Sequence, residues 1–251
     1  MKLEAVKGPL GPRRLYEFNN PSSIRDCILM SDRLIGGSSQ SNLDLVTDSS
    51  SESDPTTIPL QAKPSSSPAS QTQPRPHSPR SYARFHGCIS TSLPEDRPNI
   101  QRSGYAAFRT PDQRPTLFGR ALWDIDPYTY LALRVKSDGR AYFVNLQTEA
   151  VEPSDLHQHR LFAKHPGQWE TIMIKWNDFV RTNHGFVVEP QTELLRQKVR
   201  TVGIGLTDRV EGPFELCIES VWATNEVHEG ATVVRSHQTG LKNKRGQGIQ
   251  W

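Results

Sequence analysis

The sequence predicts an all-β fold, an antiparallel β-sandwich. Three observations carry this reading. Apolar residues recur with period two rather than 3.6, the stretches that show it are short and bounded by Gly, Pro, Asn and Ser, and helices between the strands, which a parallel α/β fold requires, are missing.

Residues 128–148, YTYLALRVKSDGRAYFVNLQT, show the alternation most clearly. Leu131, Leu133 and Val135 alternate with Ala132, Arg134 and Lys136, and Tyr142, Val144 and Leu146 alternate with Phe143, Asn145 and Gln147. Asp138-Gly139 between them suits a tight turn, because Gly adopts positive φ cheaply and Asp tolerates it, so the stretch reads as a β-hairpin. Each strand then has an apolar face and a mixed one. The mixed face, carrying Arg134, Asn145 and Gln147, is either a surface that reads a ligand or partner or an ordinary solvated face.

Taken in order, a short basic lead over residues 1–14 precedes an opening strand at 15–18. Asn19-Asn20-Pro21-Ser22-Ser23 forms a turn that caps a brief helix near 24–27, and Gly36-Gly37-Ser38 is a break before a short strand at 42–46. Residues 47–81 change to Ser, Pro, Gln and Thr with scarcely a large apolar side chain, and cannot bury enough surface to offset their ordering entropy. They read as a long disordered insertion, with Ser67-Pro68 and Ser78-Pro79 as phosphorylation candidates. Too little chain lies before the insertion to form its own core, so it interrupts one domain spanning 15–225.

Three more strands follow at 82–87, 89–93 and 104–109, and Pro127 suits the entrance of the central stretch. Further on come a strand at 159–162 and WETIMIKW at 169–176, in which Trp169, Thr171, Met173 and Lys175 face opposite Glu170, Ile172, Ile174 and Trp176. TELLRQK at 192–198 is the best helical stretch, with Thr192 able to cap it. Two strands at 201–207 and 214–224 close the domain, Val202, Ile204 and Leu206 facing the core. Gly203 and Gly205 fall on the other face and leave the backbone open to close approach. Residues 226–251 read as a frayed polar tail with a basic cluster at Lys242, Lys244 and Arg245.

Composition narrows the function. Of 251 residues 35% are hydrophobic, low for a chain folded throughout, and the net charge of +3 lacks the concentrated stripe that nucleic-acid binding needs. Cys27, Cys88 and Cys217 are odd in number and widely spaced, which argues for free thiols rather than a disulfide framework. No stretch approaches the roughly 18–20 apolar residues that span a bilayer, so the chain is expected to be soluble or peripheral to a membrane. The first 14 residues show neither a secretory core nor a clear presequence.

Common catalytic signatures fail: there is no GxSxG, P-loop or HExxH, and Gly203-Ile204-Gly205 opens no helix. His157 and His159 share one strand face but lack a third ligand, as do His86 and Cys88, and exposed histidines are the simpler reading. Asp124, Asp126, Asp155, Asp178, Asp208 and Glu211 are scattered, so no carboxylate pair is proposed, and Asp124 and Asp126 serve a turn or a structural cation. Trp123, Trp169, Trp176 and Trp222 fill the core or edges, or else stack on sugars or anchor an interface. No catalytic residue, metal or cofactor is expected. Strand alternation nominates Arg134, Asn145 and Gln147, with Gln158 and Arg160 on a neighbouring strand, as a partner-binding face.

Four long runs go further: YARFHGCISTSLP, RSGYAAFRT, LFGRALWDIDPYTYLALRVKSDGRAYFVNLQT and TVGIGLTDRVEGPFELCIESVWATN. They resemble the complex I intermediate-associated protein 30 family, over residues 15–225 apart from the insertion. The resemblance implies a galactose-binding-like jelly roll and a non-enzymatic assembly factor, or chaperone, for mitochondrial NADH:ubiquinone oxidoreductase. Such a factor sits on the matrix side, peripheral to the inner membrane. It binds membrane-arm assembly intermediates together with other assembly factors and leaves before the complex matures. The family supplies no catalytic residues to carry over. The alternative from a different class is a carbohydrate-binding β-sandwich module, in which aromatic rings stack on sugars and Asn, Gln and Arg bond hydroxyls; an enzyme of unrecognised type ranks below both.

Overall fold

The computed structural model describes residues 11–47, 80–117, 119–228 and 230–234. They form two facing sheets. In the first, the strand order is β14 (Thr232–Val233), β9 (Trp169–Lys175), β6 (Tyr130–Ser137), β13 (Gly212–Thr224), β4 (Ser81–Ile89) and β3 (Gln40–Thr47), with β1 (Arg13–Glu17) also paired to β13. In the second it is β11 (Phe186–Val187), β10 (Val180–Asn183), β8 (Asp155–Arg160), β7 (Tyr142–Thr148), β12 (Val199–Leu206), β5 (Ala106–Arg109) and β2 (Ile28–Ser31). Neighbouring strands are antiparallel except β14, which lies parallel to β9. The one α-helix among the described residues, α1 (Pro21–Arg25), is capped by Asn20, whose Oδ1 accepts from Ser23 N at 2.9 Å.

The core is the layer between the sheets. Leu131, Leu133, Val135, Ile172 and Ile174 from the first sheet and Tyr142, Val144, Leu146 and Leu206 from the second are fully buried, each aliphatic side chain worth about 1.5–3 kcal/mol. Phe85 of β4 meets Phe108 of β5 edge-on at 5.0 Å between centroids, so the two layers touch through aromatic rings.

The central stretch is not a hairpin. β6 pairs with β13 and β9, whereas β7 pairs with β12 and β8, so the chain crosses from one sheet to the other at Asp138-Gly139. Alternation is the same in both arrangements and could not separate them. The turn itself is as expected, with Gly139 at φ 92°. Asp138 fixes it by accepting from Glu215 N at 2.8 Å and from Tyr142 OH at 3.1 Å.

Other boundaries moved. Residues 192–198 form no α-helix: only Arg196–Lys198 make a 3₁₀ turn, and no side chain caps it. The strand read at 82–87 is β4, which runs on to Ile89, and residues 90–93 of the strand read at 89–93 form none. Thr47 and Ser81 face each other in register at the ends of β3 and β4, so the Ser/Pro-rich segment leaves and rejoins one sheet at adjacent positions. Ser67 and Ser78 lie outside the described residues, as do Lys242, Lys244 and Arg245. Past Asn225, β14 adds to the first sheet and Val234 is 2% exposed in the core.

Candidate functional site

Strand register decides which nominated residues share a surface. In β7, Val144 and Leu146 point into the core, so Phe143, Asn145 and Gln147 point away from it. Asn145 lies opposite Gln158 of β8 and Gly203 of β12, Phe143 opposite Arg160 and Gly205, and Gln147 opposite Thr201. Asn145, Gln147, Gln158 and Arg160 therefore stand together on the outer face of the second sheet.

Arg134 does not join them. It belongs to β6 in the first sheet, opposite Thr171 and Ser220, and its Nη1 donates to Thr171 Oγ1 at 3.4 Å on the far side of the sandwich. Reading residues 128–148 as a hairpin placed Arg134 beside Asn145; the crossing between sheets separates them.

On the outer face of the second sheet a directed row of hydrogen bonds runs across three strands. Thr182 Oγ1 of β10 donates to Gln158 Oε1 at 2.9 Å, and Gln158 Nε2 donates to Asn145 Oδ1 at 2.8 Å. Asn145 Nδ2 ends the row over β12, where a Cβ on Gly205 would lie 2.9 Å from it. Gly205 is thus small because a side chain lies down upon it. The amide nitrogen has no acceptor among the described residues and is not shut off from water, which leaves it an unused donor of a half-buried residue.

Gln147 is engaged: its Nε2 donates to Pro153 O at 2.9 Å, and its Oε1 accepts from Thr201 Oγ1 at 3.4 Å. Arg160 is held by packing alone, its guanidinium 4.8 Å over the Phe162 ring. No carboxylate reaches Arg160 among the described residues; its Nε is sealed without a partner, while its Nη atoms are not sealed.

The inner side of the same strands is different. His157 and His159 face the core at 3% and 0% exposure, a correction to their reading as exposed residues. Burial pushes both down to about 4, so they are neutral imidazoles at pH 7. Among the described residues no three His, Cys, Asp or Glu side chains converge as a metal site would require. Asp124 Oδ1 accepts from Asp126 N at 3.1 Å, which is the turn reading of that pair. Trp123, Trp169 and Trp176 are buried, and Trp222 belongs to β13 of the first sheet.

Sequence reasoning missed Thr182, the far end of the row. The signal was present: Val180 and Thr182 alternate before Asn183-His184-Gly185, and His184 and Gly185 take φ of 47° and 78°, the paired positive values of a two-residue hairpin turn leading into β11. Phe162, the support of Arg160, was read only as part of a strand.

The family model for complex I intermediate-associated protein 30 (CIA30) matches residues 16–218. The chain belongs to the complex I intermediate-associated protein 30 family. The protein of that name from Neurospora crassa, called mitochondrial, is 55% identical over 252 aligned positions, covering 100% of this chain and 87% of that protein. The Mus musculus protein of the same name is 30% identical over 142 residues, 55% of this chain and 43% of its own length. Among solved structures, a family 11 carbohydrate-binding module from Clostridium thermocellum matches with TM-score 0.51 at 11% identity, over 88% of this chain and 100% of that one. At that identity the likeness concerns the fold alone, a β-sandwich. Among the described residues no helix is long and apolar enough to cross a membrane.

Proposed function

We propose that this chain is a non-catalytic assembly factor for mitochondrial respiratory complex I. It acts on the matrix side, peripheral to the inner membrane, and holds membrane-arm assembly intermediates together with other assembly factors. The observation that carries the reading is the whole-chain match to a protein named as a complex I intermediate-associated protein. The outer face of the second sheet is the working surface: among the described residues it has a fixed row of amides and a cation without a counter-charge. Binding unfinished subunits there shields their unpaired edges until later subunits arrive.

Native-gel separation of gently solubilised mitochondria from the source organism tests this. The chain is expected to migrate with subcomplexes that contain unassembled membrane-arm subunits. Its absence from mitochondria, or migration only as a free species when assembly is stalled, overturns the reading.

A second reading, a carbohydrate-binding module, draws on one observation, the half-buried Gln158 and Asn145 amides of the row, a group type suited to sugar hydroxyls. Against it, the described tryptophans are buried or belong to the other sheet, leaving Phe143 and Phe162 as the rings beside the row. A glycan screen that returns saturable binding would favour this second reading.

A further inference from the structure

Among the described residues, the hydrogen-bond row on the outer face of the second sheet ends in a donor without an acceptor, and on the neighbouring strand stands a guanidinium without a carboxylate. Both donors are reached by water and held in orientation by their neighbours, so a ligand that brings acceptors can replace that water without reorganising the face. One acceptor must answer an amide N–H of Asn145. The other must answer the charge of Arg160, which a planar carboxylate does in two-pronged fashion.

The spacing names the kind of ligand. Asn145 of β7 lies opposite Gln158, so Arg160 of β8 stands one strand to its side and two residues on, an offset of roughly 7 Å measured along the strand direction. An extended polypeptide repeats its groups on one side at that same interval, because it has the same rise. Phe143, opposite Arg160, and Phe162 beneath the guanidinium supply apolar surface for the stems of the ligand's side chains.

We infer that this face binds an extended acidic polypeptide segment, with a main-chain carbonyl on Asn145 Nδ2 and an Asp or Glu carboxylate on the Arg160 guanidinium. The inference rests on the assembly-factor reading and gives its partner a chemistry. Arg160 supplies the charge preference and Asn145 the register. Gly205 takes part by letting the Asn145 amide lie flat, since a Cβ there would crowd Nδ2 at 2.9 Å.

Fluorescence polarisation with the full chain tests it, using a labelled nine-residue peptide of alternating Glu and Val and a counterpart in which every Glu is Gln. A mixed-linked β-glucan tetrasaccharide serves as competitor. The acidic peptide is expected to bind the native chain at least tenfold tighter than the Gln peptide. Arg160→Gln and Asn145→Asp should each weaken it fivefold or more with unchanged near-ultraviolet circular dichroism. No binding of the acidic peptide, equal binding of both peptides, unchanged affinity in both variants, or displacement by the tetrasaccharide overturns the inference. Native-gel migration separates the two levels. If Arg160→Gln and Asn145→Asp chains still accompany the assembly subcomplexes, this site fails while the assembly reading stands; if the native chain never accompanies them, the assembly reading itself fails.

Discussion

Arg140 grips Asp208 with two hydrogen bonds, Nε to Oδ2 at 3.0 Å and Nη2 to Oδ1 at 2.7 Å, in a pair whose side chains are only 13% and 11% exposed. The same guanidinium donates to Gly212 O at 3.2 Å, Pro213 O at 2.9 Å and Val210 O. Arg140 follows the point where the chain crosses between sheets, and Asp208 follows β12, so the pair ties the crossing to the loop that leads from β12 into β13.

Arg140→Met should therefore cost about 2–4 kcal/mol, since it leaves the Asp208 carboxylate and three carbonyls without their donor. Arg140→Lys should recover only part of the loss, because an ammonium cannot form the fork that reaches both carboxylate oxygens and the loop carbonyls. Equilibrium urea unfolding measures both. Equal stability of the Lys variant and the native chain would show that charge alone matters here.

Stability should fall in mild acid because of His157 and His159. Each titrates near 6.5 in the unfolded chain and near 4 when folded, so below pH 6.5 the unfolded state binds protons that the folded state refuses. At pH 5 each histidine should cost about 2 kcal/mol relative to pH 7.5, and further loss continues towards pH 4. Arg181 adds to the downward push on His157 while Asp155 opposes it, and Asp155, whose own pKa is lowered because bonds from Asn183 and Arg181 outweigh its burial, stays ionised through this window. Urea midpoints measured from pH 7.5 to 5 should drop, and His159→Leu should flatten the drop by roughly half.

The strand glycines should separate by what they face. A Cβ on Gly203 would sit 2.7 Å from the Phe108 carbonyl oxygen, a backbone atom in a paired strand, whereas one on Gly205 would meet the movable end of Asn145. Gly203→Ala is expected to destabilise by about 2–3 kcal/mol and Gly205→Ala by about 1 kcal/mol. Thermal unfolding of the two variants should show the larger drop for Gly203→Ala. In the binding assay, by contrast, Gly205→Ala should weaken the acidic peptide more, because it tilts the Asn145 amide.

These glycines show how far the sequence can be read. Alternation put Gly203 and Gly205 on the outer face and Val202, Ile204 and Leu206 in the core, at 3%, 2% and 0% exposure, because period two is a property of the strand itself. Whether a strand or a side chain makes the close approach depends on which strands are neighbours, and pairing is not local. The same limit explains the misplaced Arg134. An Asp-Gly turn between two alternating stretches serves a hairpin and a crossing between sheets equally well, and what distinguishes them here, Asp138 accepting from Glu215 N, lies 77 residues away. Similarly, the histidines of β8 look like surface residues in a polar stretch, and only the partnership of His157 with Leu146 and of His159 with Val144 turns them inward.

The two arginines nominated together now make a paired test. Arg160 lies on the second sheet beside Asn145, without a counter-ion among the described residues, while Arg134 lies on the first sheet, bonded to Thr171 and close enough to Glu219 to oppose the rise that burial imposes on that carboxyl. Reversing charge at Arg160 puts a carboxylate where the proposed partner brings its own. Arg160→Glu should cut co-migration with assembly subcomplexes at least tenfold while thermal unfolding shifts little, since Arg160 makes no ion pair among the described residues whose loss would matter to the fold. Arg134→Glu should do the reverse: it adds an acid to the Glu219 and Glu17 already there, lowers stability by about 1 kcal/mol through like-charge repulsion, and leaves co-migration intact. If the Arg134 variant is the one that loses the subcomplexes while keeping its fold, the working surface is the first sheet, and the amide row on the second serves only to hold β10, β8 and β7 together.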